Sequence, residues 1–200
     1  MIPVITQALM AAKGASKGLA GSKLPMIEQA LSKAVCQYIL VSAFVTSTNN
    51  VIGPGAGTQT GKILGLSPNT MSGLMVAKAA SLGLAGKDIK SLFDTVSFGV
   101  VNSMNSVLLQ GVVIGGGLGT GTGKIIGLVP FVLTGIIMIM MKAVKMYGDK
   151  TFAMASAIAF GVCTHIMSNG TVSVTNIGAA AGPPIGPITI PAAPGIGRLV

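Results

Sequence analysis

"VVIGGGLGTGTGKIIGLVP" occupies residues 112–130 and invites two incompatible readings. A glycine-rich run closed by Lys124 is either a loop that cradles phosphate or an extended backbone element stripped of side chains. The first reading fails on spacing. A phosphate loop of the G-x-x-x-x-G-K-[ST] type wraps the phosphates in backbone N–H groups and uses the final hydroxyl to hold Mg²⁺. Counting back from Gly123, the first required glycine falls on Leu118, and Ile125 follows the lysine. No aspartate or glutamate lies in the run to hold a metal. No nucleotide or other cofactor is expected here.

The second reading gains from a near copy. "VIGPGAGTQTGKILGLSP" (51–68) aligns without gaps to "VIGGGLGTGTGKIIGLVP" (113–130), with 13 of 18 positions identical at an offset of 62. Ala56 and Ile63 break the phosphate-loop pattern at the same two places as Leu118 and Ile125. Both copies keep glycines at alternate positions, as at 53, 55 and 57 or 115, 117 and 119, with Thr58, Thr60, Thr120 and Thr122 between. Alternation is the period of a strand, so one face of an extended segment carries no side chain. Such a segment suits close approach by another backbone. It also suits pairing with a neighbouring subunit. A partial third copy, "TVSVTNIGAAAGPPIGPITIPAAPGIG" (171–197), reads as an extended tail lying along a partner, because its prolines remove backbone donors.

Helices flank these elements. Apolar residues at Ile89, Leu92, Phe93, Val96, Val100 and Val101 make a one-sided helical stripe from Ile89 to about Leu109, with Asp88 as N-cap. Its counterparts run from Ile27 to about Val45 and from Phe152 to about Met167. Pro68 and Pro130 each open a further helix at its first position. The expected fold is mainly α with extended Gly-rich β-ribbon segments. It is an internal repeat of helix, Gly-rich element and helix with period 62, forming a pseudo-symmetric single domain with an extended C-terminal tail. The divisions are an N-terminal helix or arm at 1–25, repeat units at 26–88 and 89–150, and a partial third unit with its Pro/Gly-rich tail at 151–200.

Composition limits what surrounds this fold. Half the residues are hydrophobic, 8% are charged and the mean hydropathy is +0.79. Soluble domains carry about 25% charged residues. A surface this poor in charge belongs either in a bilayer or against other protein subunits. The best membrane candidate is Ile125–Val144, but Pro130 interrupts it at an expected helix start, and a Gly ribbon in lipid would leave backbone groups unpaired. Assembly is therefore preferred to a small integral membrane protein. The formal net charge of +9 keeps a third class in view, a basic protein touching packaged nucleic acid through Lys13, Lys17 and Lys23. At 4% aromatics, with no patch that interleaves them with bases, sequence-specific recognition is not expected. The N-terminus places its lysines after its apolar stretch, the reverse of a secretory signal.

Residues able to do chemistry are few and scattered. Cys36 and Cys163 lie in apolar company without a CxxC pair and read as buried thiols. His165 is the single histidine. Its neighbour Cys163 is two residues away, a spacing that faces different sides of a helix. The four acids are Glu28, Asp88, Asp94 and Asp149, and two of them fall at turns or caps. No catalytic, cofactor-binding or metal site and no small-molecule substrate is expected. Lys62 and Lys124 are expected to meet solvent or an acidic neighbour.

The stretch "GVVNSMNSVLLQGVVIGGGLGTGTGKIIGLVP" (99–130) and its echo "GVCTHIMSNGTVSVTNIGAAAGPP" (161–184) resemble small structural proteins of contractile-tailed bacteriophages. The likeness runs from about Ile27 onward. It implies a non-enzymatic virion component of the tail, baseplate or neck, assembled in the bacterial cytoplasm as a homo-oligomer with other virion proteins as partners.

Overall fold

The computed structural model describes the backbone of residues 1–52, 56–114, 120–176 and 189–199, and side chains outside 47–60, 108–122 and 174–200. The chain is mainly helical, with antiparallel strands between the helices. In order the elements are α1 (Pro3–Ser16), α2 (Leu24–Ser42), β1 (Phe44–Ile52), β2 (Ala56–Leu64), α3 (Pro68–Ser81) and α4 (Lys87–Ser106). They continue with β3 (Leu108–Ile114), β4 (Thr120–Ile126), α5 (Pro130–Ala143), α6 (Thr151–Asn169), β5 (Thr171–Asn176) and β6 (Thr189–Leu199). Two compact units alternate along the sequence. Met1–Val41, Leu66–Met104 and Leu128–Asn169 form the helical unit, and Ser42–Gly65, Asn105–Gly127 and Gly170–Val200 form the strand unit.

In the helical unit each short helix begins with proline at its first position, behind Ile2, Ser67 or Val129. Proline's fixed φ suits that place, and its missing N–H would find no helical partner there anyway. Each short helix ends in a left-handed residue, at Gly18 (φ 69°), Gly83 (φ 76°) and Lys145 (φ 60°). The next N–H then bonds back across the turn, Leu19 to Gly14, Leu84 to Ala79 and Met146 to Met141, each at 2.9 Å. This arrangement satisfies carbonyls that the helix end would otherwise orphan. The buried face of each short helix is a stripe spaced by four, Thr6, Met10 and Gly14; Met71, Met75 and Ala79; Leu133, Ile137 and Met141, joined by Ser72 in α3 and Thr134 in α5. The long helices bury a wider face. Its middle is Ala34-Val35-Cys36 in α2, Gly99-Val100-Val101 in α4 and Gly161-Val162-Cys163 in α6.

The small residue in each triplet admits a neighbouring helix. A Cβ on Gly99 would come within 3.0 Å of Ile137 and 3.1 Å of Leu133, which sets α5 against α4. A Cβ on Gly161 would overlap Met10 Cγ and stand 3.0 Å from both the Met10 nitrogen and the Thr6 carbonyl oxygen. The N-terminal helix therefore packs on the last helix, and α6 also packs on α5.

The strand unit is a closed six-stranded antiparallel barrel in chain order, with β6 returning to β1. Where side chains are described, burial alternates. Val45, Ile63, Ile125 and Val172 are buried between exposed Phe44 and Thr46, Lys62 and Leu64, Lys124 and Ile126, and Thr171 and Ser173. A barrel this small is filled by its own side chains. Val45 faces Ile63 across one pair, and Val172 faces Gly123 across another. The chain leaves β2 through Gly65 at φ 84°, where a Cβ would stand 2.7 Å from the Ser42 carbonyl oxygen. Gly127 follows β4 at φ 91°. Left-handed backbone explains why both copies of the quoted run keep this glycine.

Several expectations need correction. The quoted run is not one continuous ribbon. Its ends lie on two antiparallel strands, β3 and β4, as 51–64 lies on β1 and β2. Gly53, Gly55, Gly115, Gly117 and Gly119 lie outside the described residues. The long helices stop at Ser42 and Ser106, short of Val45 and Leu109, because β-branched and amide-rich runs such as Phe44–Ile52 favour pleated backbone. Asp88 is the second residue of α4 and not its cap. Ile125–Val144 is not one helix, since β4 ends at Ile126 and α5 starts at Pro130. The C-terminal tail, over Thr189–Leu199, is a strand of this chain's own barrel.

Pro191 and Pro194 are tolerated in β6 for a positional reason. Pairing with β5 begins only at Gly195, and the pairing with β1 shifts register between Asn49 and Val51. Prolines fit such one-sided or irregular stretches. Removing residues 189–200 should expose the edges of β1 and β5. The truncated chain is expected to lose at least about 10 °C in Tm and to aggregate, as thermal unfolding and light scattering would show. A tail that merely lay along a partner would leave both unchanged.

Candidate functional site

The polar groups buried in the helical unit are where chemistry would first be sought. His165 on α6 is fully buried. Its Nε2 accepts the Ile2 N–H at 3.0 Å, and the Asn169 side-chain amide lies 3.2 Å from Nδ1. Burial, and then the nearby N-terminal ammonium, hold the ring's pKa below its ordinary value. Tyr38 on α2 does the same work for α3: its hydroxyl oxygen accepts the Ser67 N–H at 2.8 Å. Ile2 and Ser67 are the residues just before Pro3 and Pro68. Both helix starts lack a side-chain cap of their own and are tied instead to a polar group on a long helix. The lone histidine is thus engaged in helix docking.

The remaining candidates are dispersed. Thr6 Oγ1 lies 3.4 Å from Cys36 Sγ. Burial pushes the Cys36 thiol up and the Cys163 thiol up to about 12, and both are free. Thiols held protonated are poor nucleophiles. Glu28 on α2 is buried beside Gly14, and its Oε1 has no hydrogen-bond partner among the described residues. Burial raises its carboxyl above the usual range. Burial also pushes Asp94 up, but hydrogen bonds from Lys90 and Ser72 and the Lys90 charge outweigh it, so that carboxyl sits low. Among the described residues no three of His, Cys, Asp and Glu gather as a metal site. Lys62 and Lys124 stand mid-strand on β2 and β4, exposed and paired with Thr46 and with Gln110 and Thr171. A phosphate-loop lysine sits instead where a loop enters a helix.

Among the described residues a concave surface lies where the helix–helix turns meet. An open cleft of about 400 Å³ is lined by Leu19 from the α1–α2 turn, Asp88 and Leu92 from the start of α4, and Lys145, Tyr147 and Lys150 from the α5–α6 turn. A second cleft continues it past Gly21, Lys23 and Ile27 to the start of α2. All three turns thus share one end of the helical unit. Reading the chain for local clusters finds Lys13, Lys17 and Lys23 there and misses Lys142, Lys145 and Lys150. The available signal is that lysine lies in each helix–helix turn or at the first residue of the helix that follows, Lys87 in the case of α4. Comparison with known proteins finds no match: no family model, no curated protein and no solved structure.

Three changes test these polar contacts by denaturant unfolding. Tyr38→Phe removes the acceptor for the Ser67 N–H and should cost about 1 kcal/mol. Below about pH 6.5 the unfolded chain gains a proton at His165 that the buried ring resists, so stability should be highest above that pH and fall as pH drops. Glu28 has the opposite sign. Its raised folded value favours the folded chain at low pH, and that gain is lost as pH rises past 4.5. Glu28→Gln should therefore be more stable than wild type at pH 7, with the difference closing as pH falls towards 4.5.

Proposed function

We propose that the chain is a non-enzymatic structural protein of a tailed-phage virion, present in several copies in the tail, baseplate or neck and built from three copies of one unit. Each unit is two helices followed by two antiparallel strands: α1 to β2, α3 to β4 and α5 to β6. Several spacings support this reading. The short helices start at Pro3, Pro68 and Pro130. The small residue of each buried triplet falls at Ala34, Gly99 and Gly161. Both series step by 65 and then 62 residues. On this reading the N-terminal helix opens the first copy, and the third copy is whole.

The observation that carries assembly is an uncovered apolar face. On α5, Phe131 is 81% exposed and Ile139 is 70% exposed, with exposed Gly135 midway. Positions spaced by four share one side of a helix. Val132 and Val129 add to this face, and Val4 on α1 is 71% exposed. Contiguous apolar patches on a chain with 8% charge mark surfaces that other proteins cover. The resemblance of the glycine runs to contractile-tail proteins supplies the virion context.

A membrane protein is the second reading, because α6 is, among the described residues, the one helix long and apolar enough to cross a bilayer. More than half of its apolar window is buried inside the protein, against α1 and α5 among others. That supports a core helix.

Light scattering after size exclusion should give a defined oligomer in detergent-free buffer. Phe131→Ser/Ile139→Ser should reduce it to monomer without loss of helical circular dichroism. A wild-type monomer, or protein recovered only in alkali-resistant membranes, would refute the assembly reading.

A further inference from the structure

We infer that the turn end of the helical unit binds the phosphate backbone of nucleic acid, independently of sequence. The turns carry Lys17 and Lys23, Lys87 begins α4, and Lys145 and Lys150 flank the 400 Å³ cleft; all five are exposed. Lys13, Lys78 and Lys142 add cations in the last turns of α1, α3 and α5. The acids at this end are Asp88 and Asp149. Among the described residues the single ion pair is Lys90–Asp94, so no carboxylate is paired with the turn lysines.

Two features make this distribution costly for the protein by itself. The dipoles at the C-termini of α1, α3 and α5 favour the lysines of those last turns, but this end also holds the N-termini of α2, α4 and α6, where the dipole favours anions and disfavours lysine. α2 and α6 have no acid in their first turns, and Lys23 and Lys150 immediately precede them. Lys145 adopts φ 60° where the other two turns place Gly18 and Gly83. A side chain in left-handed backbone costs free energy that glycine avoids. The third turn keeps a cation in a place that backbone geometry reserves for glycine. A bound polyanion relieves the repulsion and gives that lysine a role.

The composition of the face selects nucleic acid over a lipid surface. A membrane-docking face inserts apolar side chains among its bases. Here the exposed large apolar groups are Val144, Tyr147 and Phe152 at the α5–α6 turn or just beyond it, and Met26 just past the α1–α2 turn. The other two turns offer exposed Gly18, Ala20, Gly21 and Ser22, and Gly83, Ala85 and Gly86. Lysines lie in two of the turns and directly after the third, at Lys87. Lysine acts on phosphate as a point charge, and the chain's one arginine, Arg198, lies in the barrel strand β6. Bidentate base reading by arginine is therefore not offered here, and the affinity comes from displaced counterions.

The test is fluorescence anisotropy of the full-length protein on a short mixed-sequence DNA duplex, with vesicles of anionic lipid and polyglutamate as competitors. Binding should weaken about five-hundredfold between about 50 and 200 mM salt, as five phosphate contacts require. Lys17→Gln/Lys23→Gln/Lys150→Gln should lower affinity at least tenfold and make the salt slope shallower by about 3. The matched triple Lys33→Gln/Lys62→Gln/Lys124→Gln should leave both unchanged. Lys145→Gly should raise Tm while weakening DNA binding, a combination that a folding defect cannot produce. No binding at 50 mM salt, equal losses in both triples, unchanged binding in Lys145→Gly, or stronger capture by vesicles or polyglutamate would overturn the proposal. Because oligomer size and DNA affinity are separate readouts, either can fail without the other.

Discussion

The helical unit depends on how closely α1 lies against α6. At Gly161 the two backbones approach until no Cβ fits, since the Met10 nitrogen and the Thr6 carbonyl oxygen already occupy that space. This contact joins the first helix to the last, so the unit is closed rather than open-ended. Met10, Thr6 and Cys36 are buried around the same short helix. The hydrogen bond from Ile2 to His165 fixes where that helix begins. The strand unit closes by the same long-range logic, with β6 of the C-terminal region pairing with β1. In both units the most distant parts of the chain meet.

Closure gives the unusual polar residues a physical account. His165 and Tyr38 are both acceptors for the N–H that precedes a proline-started helix, one ring nitrogen and one phenol serving the same need. A neutral buried histidine in that role adds an acid-sensitive contact without implying catalysis. The lysines follow a different rule. Most of them gather where α1, α3 and α5 end and α2, α4 and α6 begin, and among the described residues only Lys90 there is ion-paired, to Asp94. Lys13 lies over the Phe160 ring and Lys78 and Lys142 sit in last turns whose dipoles favour cations, whereas Lys23 and Lys150 precede helix N-termini that do not.

Much of this was legible in the sequence. Pro68 and Pro130 mark true helix starts, Gly65 and Gly127 are kept because their backbone is left-handed, and both cysteines are buried. The phase of the pattern was not legible. The run from Ala43 to Ile52 continues an apolar helix without a break signal, and short β-branched segments beside a helix give no period of their own. The fate of the C-terminal stretch was hidden because its prolines argue against a central strand. Only the registers with β1 and β5 reveal that those prolines fall at one-sided or shifted pairings. The lysine face was missed because its members are far apart in sequence and meet only when the three turns are brought to one end.

The same substitution at two helical glycines tests closure most directly. A Cβ on Gly135 of α5 would meet nothing within 4 Å, whereas Gly161 on α6 abuts the α1 backbone. In equilibrium unfolding, Gly135→Ala should be unchanged or more stable by up to about 1 kcal/mol, the usual helical preference for alanine. Gly161→Ala should be less stable by about 2 kcal/mol or more, because α1 must move away from α6. If Gly161→Ala were as stable as wild type, α1 would not pack there, and the closed arrangement of the helices would be wrong.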